Sequence, residues 1–189
     1  MKDAVVATSG GMSPCSEGTG RGTIDVATVH SPVGPLTLAV RGSRLCLLHF
    51  GADGPGPAAS LRRWYPGERL ASGPGTTPVT LSLDRYFAGE TTALDGIDVE
   101  MNGTPFQVRV WQALRDVRAG ATASYGEIAR RIGAGSAVRA VGAANGANPI
   151  AIVVPCHRVI GSSGRLTGYG GGLDRKQWLL RHERSPALF

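Results

Sequence analysis

The chain has 189 residues, 42% of them hydrophobic and 18% charged, enough apolar material for one domain or two small ones and too much for a disordered chain. No apolar run approaches the roughly 18 residues of a membrane helix, and the Ala4-Val5-Val6-Ala7 patch is too brief for the core of a secretory signal, so the expectation is a soluble, cytoplasmic protein without a membrane partner. The net charge of +6 is unevenly spread: residues 1–100 hold 8 Lys and Arg against 10 Asp and Glu, and residues 101–189 hold 12 against 4, an asymmetry that points the second half at a polyanion.

Residues 1–22 are rich in Gly and Pro with little hydrophobic periodicity and read as a flexible tail. Three strands follow, Ile24–Val29, Leu36–Val40 and Leu45–Phe50, separated by the turn sequences Ser31-Pro-Val-Gly-Pro35 and Arg41-Gly-Ser-Arg44. A short helix is expected around Ala58–Tyr65. A second starts at Thr77 as cap with Pro78 in the first turn, buries Val79, Leu83, Tyr86 and Phe87, and stops at Gly89. Residues 23–100 thus form an α/β scaffold domain built on a small antiparallel sheet, with no cluster of reactive polar groups. Asp95–Gly103 connects it to a second domain, 101–189.

That domain opens with the capping box Thr104-Pro-Phe-Gln107 and a stripe of Phe106, Val110, Leu114 and Val117. Ser124-Tyr-Gly-Glu127 is a second capping box. The helix it starts breaks at Gly133-Ala-Gly135, and Ser136 is expected to cap the next, Ala137 to about Gly146, with its narrow face of Ala140, Val141 and Ala144. Two short helices joined by a glycine turn form a helix-turn-helix pattern, which with the basic charge favours DNA.

Ile150-Ala-Ile-Val-Val154 reads as a buried extended segment ending in Pro155-Cys156-His157-Arg158-Val159. A cysteine beside His157 and Arg158 has an electropositive setting that favours the thiolate and makes it the natural nucleophile. Of the 3 cysteines, Cys15 in the tail and Cys46 in a strand read as inert. They lack a disulfide scaffold's spacing, and Cys15, His30, Cys46 and His49 lack the paired spacing of a zinc site.

Asn148-Pro-Ile-Ala-Ile-Val-Val-Pro-Cys-His-Arg-Val159, with Gly168-Tyr-Gly-Gly-Gly-Leu173 and Lys176-Gln-Trp-Leu-Leu-Arg-His-Glu183, resembles the methylated-DNA–protein-cysteine methyltransferases, or O6-alkylguanine-DNA alkyltransferases. The match runs from about Phe106 to Glu183 and, more loosely, through the three strands. It implies a ribonuclease-H-like first domain and a winged-helix-like second one. It also implies direct-reversal repair: irreversible, single-turnover transfer of an alkyl group from O6 of guanine, and also O4 of thymine, in duplex DNA to the protein's own cysteine after base flipping.

By that resemblance Cys156 is the acceptor, His157 takes its proton through a water, and Glu183 orients the imidazole. Asn148 braces the active-site turn, and Tyr125 donates a proton to the leaving guanine while crowding the target phosphate. Arg139 fills the gap left by the flipped base, on a helix whose Ala140 and Gly142 allow close approach to the minor groove. The backbone at Cys156, Val159 and Gly170 reads the guanine edge, Tyr169 and Pro155 line the pocket, and Lys176 supports the turn. Gly170, where some relatives have serine or alanine, implies a looser pocket lip. No cofactor and no metal are implied, and the protein is expected to act as a monomer. A lesion sensor, a transcription factor and a cysteine hydrolase are weaker alternatives, respectively because Cys156 is present, because no separate regulatory domain is evident, and because the basic half and Arg139 would lack a task.

Overall fold

The computed structural model describes residues 22–52, 54–73 and 77–184; most of the tail assigned to 1–22, with Cys15, lies outside them. The three expected strands form as β1 (Thr23–Val29), β2 (Leu36–Arg41) and β3 (Arg44–Phe50), paired antiparallel in the order of the chain. Gly34, at φ 95°, and Gly42, at φ 61°, close the two turns in a backbone conformation that glycine adopts without cost. A fourth strand, β4 (Arg69–Ser72), pairs with β1 in parallel, so the sheet is mixed, in the order β3-β2-β1-β4.

Both faces of this sheet are covered. Helix α1 (Pro55–Trp64), which starts three residues earlier than the Ala58 expected, lays Leu61 on a small cluster with Ile24, Ala39, Cys46, Leu47 and Tyr65. Helix α2 (Pro78–Phe87) lies in the main core, and Thr77 caps it as the sequence predicts, its hydroxyl accepting from the Thr80 amide. The free edge of β3 is bridged by Val99 at Leu45 and by Ile150 at Leu48. One bridge from the end of the first half and one from the second thus cover part of the edge that an isolated sheet would leave open.

The second half comprises α3 (Pro105–Arg115), β5 (Ala123–Ser124), α4 (Tyr125–Arg131), α5 (Val138–Gly146), a 3-10 turn at Cys156–Arg158, β6 (Val159–Ile160) and α6 (Leu173–Arg184). Both expected capping boxes form, at Thr104 with Gln107 and at Ser124 with Glu127. The α4–α5 pair breaks at Gly133, φ 69°. Ser136 does not cap α5: the capping position is Ala137, without a side-chain bond. Trp111, fully buried, donates its indole N–H to the Ala144 carbonyl at 2.8 Å and fixes α3 against α5. Leu48, Leu83 and Tyr86 share one core with Leu114, Ile150 and Val154, so the two halves are packed together. Among the described residues no helix is long and apolar enough to cross a membrane.

Candidate active site

Ile150–Val154 is a tight turn rather than the extended segment its apolar run suggests. Ile152 has φ 68°, and it is the only described non-glycine residue with positive φ. For a β-branched side chain that conformation is strained, and it persists only where surrounding bonds over-determine it. Asn148 supplies them: its amide N–H donates to the Val154 carbonyl at 2.8 Å and its oxygen accepts from the Ile150 amide at 3.0 Å. The turn delivers Cys156 to the first position of the 3-10 turn, with its backbone amide on the Val154 carbonyl.

Cys156 is 6% exposed and lines a cavity with Asn145, Asn148, Tyr169, Gly170 and Gly171, walled on the sheet side by Leu48, His49 and Phe50. Burial pushes its thiol up; Asn148, the Lys176 charge and Tyr169 pull the other way without reversing the shift. This corrects the expectation of a favoured thiolate. Arg158 does not charge the thiol's surroundings, because its guanidinium turns away to Glu183, through Nε at 2.9 Å and Nη2 at 2.8 Å, and to the Val117 carbonyl.

Behind the thiol, His157 is fully buried and its Nε2 lies 2.9 Å from Glu183 Oε1. Burial alone would push the Glu183 carboxyl up, but the hydrogen bonds and charges of His157 and Arg158 outweigh it and hold the group well below the usual carboxylate range. An ionised carboxylate only accepts, so Nε2 carries the proton and Nδ1 is a bare acceptor. Nδ1 has no hydrogen-bond partner among the described groups. Burial lowers the His157 pKa, and the charges of Arg158 and Lys176 add to that against the pull of Glu183. The resting pair is therefore a neutral thiol and a neutral imidazole.

Lys176, fully buried, donates to the carbonyls of Val159 at 2.7 Å and Thr167 at 3.0 Å, tying α6 to the strand after the 3-10 turn and to the residue that precedes the cavity-lining Gly168–Gly171 segment. Tyr169 packs edge-on to Phe50 with its hydroxyl buried near the thiol; that hydroxyl makes no hydrogen bond of good geometry and acts on Cys156 through proximity. Pro155 and Val159 are buried beside Cys156 but do not line the cavity. Arg139 and Ala140 are exposed on α5, where Gly142 faces the Tyr125 ring; Tyr125 accepts from the Thr167 hydroxyl at 3.2 Å.

The first half is more than a scaffold. Besides the cavity wall, it contributes Tyr86, whose hydroxyl donates to Glu183 Oε1 at 2.8 Å. Its sequence signal, one place in a helical apolar stripe, gave no hint of a polar role. Arg158 was missed as a partner of Glu183, and Asn145, which reaches the Cys156 carbonyl at 3.4 Å, was missed altogether.

The buried thiol thus opens on a walled cavity to which α5 contributes Asn145 and Gly146, with the His157–Glu183 pair next to it in the chain. Residues 24–101 match the ribonuclease-like domain and residues 105–185 the DNA-binding domain of 6-O-methylguanine DNA methyltransferase. The chain is 54% identical over 166 residues to a methylated-DNA–protein-cysteine methyltransferase of Mycolicibacterium paratuberculosis, covering 87% of this chain and 96% of the relative. It is 52% identical over 164 residues to one from Mycobacterium tuberculosis, covering 87% and 94%. The crystal structure of Mycobacterium tuberculosis OGT in complex with DNA aligns with TM-score 0.71 at 45% identity, covering 87% of this chain and 96% of that one. The archaeal O6-methylguanine-DNA methyltransferase of Pyrococcus kodakaraensis aligns at 0.63 and 26% identity, covering 86% and 99%. The chain belongs to the 6-O-methylguanine DNA methyltransferase family. Its activity is DNA repair by direct reversal, with methyl transfer from DNA to a protein cysteine, and its macromolecular partner is DNA.

Proposed function

We propose that Cys156 accepts one alkyl group from O6 of guanine, or O4 of thymine, in duplex DNA, and that each molecule acts once. The observation that carries this reading is the buried Cys156 thiol on the cavity wall, adjacent in the chain to the His157–Glu183 pair whose Nδ1 is left without a partner. The thiol proton passes to His157 Nδ1 through a bridging water as sulfur attacks the alkyl carbon. The S–C bond forms as the C–O6 bond breaks, and the leaving guanine takes a proton from the Tyr125 hydroxyl. Sulfur ends as a thioether, which has no leaving group for return to thiol.

Arg139 enters the stack in place of the flipped base, while Ala140 and Gly142 let α5 sit in the minor groove. The Cys156 carbonyl and the Gly170 amide read the guanine edge, and Tyr169 bounds the pocket; Pro155 and Val159, which do not line the cavity, support the turn behind it. Asn148 and Lys176 hold its turn and loop. No cofactor takes part in this scheme. We place the functional units at 23–100 and 101–189, following a tail at 1–22, and assign the protein to the cytoplasm as a monomer. Intact-mass analysis and peptide mapping after incubation with duplex DNA holding one O6-methylguanine test the reading. One methyl on Cys156, saturating at one equivalent and absent from Cys156→Ala, is expected; binding without mass gain refutes it.

A further inference from the structure

Tyr86 is the one side chain of the sheet-bearing half that bonds to the His157–Glu183 pair among the described residues. It is fully buried, and two adjacent residues of α6 hold its two ends. Its hydroxyl donates to Glu183 Oε1 at 2.8 Å, and its backbone carbonyl accepts from His182 Nε2 at 2.7 Å. Its ring meets the His182 ring edge-on at 5.1 Å and the Phe87 ring at 5.2 Å, and His182 stacks on Trp178 at 4.8 Å. The register of α2 against α6 is thereby fixed at the residue that carries the relay's carboxylate.

The hydroxyl shares Oε1 with His157 Nε2 and Arg158 Nη2. A donor on a carboxylate stabilises the charged form and reduces its pull on every other donor. Burial and the neighbouring carboxylate push the phenol up, so it stays a neutral donor. The groups facing Glu183 are Tyr86 from α2, His157 and Arg158 from the 3-10 turn, and the Gly120 amide at 3.4 Å; the Lys176 charge reaches His157.

We infer that Tyr86 is a positioning residue for alkyl transfer: its hydroxyl anchors Glu183 Oε1, the oxygen that holds His157 Nε2, and shares that oxygen's charge with the imidazole. The inference builds on the relay proposed above and gives the first half of the chain a part in it. Without the hydroxyl, Glu183 pulls harder on the imidazole proton, and its Oε1 is left to Arg158 and His157 alone.

The test is Tyr86→Phe in the full chain, which keeps the ring and its packing, beside Phe87→Leu, which loosens the same α2–α6 contact and spares the hydroxyl. Two readouts apply: single-turnover methyl transfer, and the His157 titration followed by 15N-histidine NMR. Tyr86→Phe is expected to raise the His157 midpoint by about half a pH unit to one unit. It is also expected to slow transfer about tenfold, a part of what a general base supplies, with a larger deficit at about pH 6 than at about pH 8. Phe87→Leu is expected to lower the melting temperature and leave the midpoint in place. Equal midpoints in parent and Tyr86→Phe, a His157 silent in both, or a midpoint that Phe87→Leu moves as far, overturn the inference. Failure of the relay itself reads differently: His157→Gln would then transfer at the parent's rate, whatever Tyr86→Phe does to the titration.

Discussion

Glu183→Gln probes the most highly coupled group in the molecule. The carboxylate accepts from both Nε and Nη2 of Arg158, from Tyr86 and from the Gly120 amide, and pairs with His157. The amide has nearly the same shape but no charge and one acceptor oxygen in place of two, so Arg158, 5% exposed, loses its counter-charge and one of its acceptors and keeps the Val117 carbonyl. Removing one partner of a buried ion pair costs about 3–5 kcal/mol, because the other charge is left uncompensated. For a chain of this size each kcal/mol moves the melting temperature by about 2–4 °C, giving a drop of about 6–20 °C. Differential scanning calorimetry measures it, and single-turnover transfer should fall in the same variant. The cause is isolated by Arg158→Met with Glu183→Gln: the double variant buries no lone cation and should melt above Glu183→Gln alone. A Glu183→Gln loss under about 3 °C, or single effects that simply add, would refute the reasoning.

Three further outcomes are expected. Burial depresses the folded pKa of His157, so its contribution to stability is complete above the unfolded value of about 6.5 and declines as pH falls toward the folded pKa; Glu183, also depressed, adds the same sign below the usual carboxylate range. Denaturant midpoints should therefore fall between about pH 7 and pH 5, less steeply in His157→Gln, and parallel slopes would contradict the assignment. In Gly171→Ala the new Cβ would stand 2.6 Å from the Phe50 ring, which Tyr169 and Arg175 hold in place. Overpacking of this kind costs about 1–3 kcal/mol, and an unchanged melting temperature would show that the loop yields freely. A Cβ on Gly170 meets nothing within 4 Å, so Gly170→Ser should fold normally and lower the ratio of benzyl to methyl transfer; a constant ratio would remove Gly170 from the pocket lip.

Local chemistry made much of this legible. Thr77, Thr104 and Ser124 cap the helices they precede because cap and partner lie within one turn; β-branched residues marked β1 and β2, and the apolar run Leu45-Cys-Leu-Leu48 between turns marked β3. β4 was missed because Arg69-Leu-Ala-Ser72 has neither alternation nor a β-branched residue; its backbone bonds to β1 make it a strand. Ile150–Val154 has the composition of a buried strand and is a turn, since Asn148 ties both its ends: local side-chain bonds to the backbone overrode propensity. Tyr86 and Glu183 stand 97 positions apart, and no local pattern encodes that pairing.

The same burial moves Cys156 and His157 in opposite directions, the thiol up and the imidazole down, and both shifts oppose a standing thiolate–imidazolium pair. Arg158 adds to this by occupying the Glu183 charge that would otherwise favour imidazolium. A free thiolate at the bottom of an open cavity would react with any small electrophile and waste a protein that works once. In the scheme proposed above, proton transfer becomes favourable only when an alkyl carbon stands in line with sulfur and the departing base can be protonated. Selectivity for a bound, flipped base thus follows from burial as much as from contacts to the base, and an exposed-thiol variant of this site should gain reactivity toward small electrophiles as it loses discrimination.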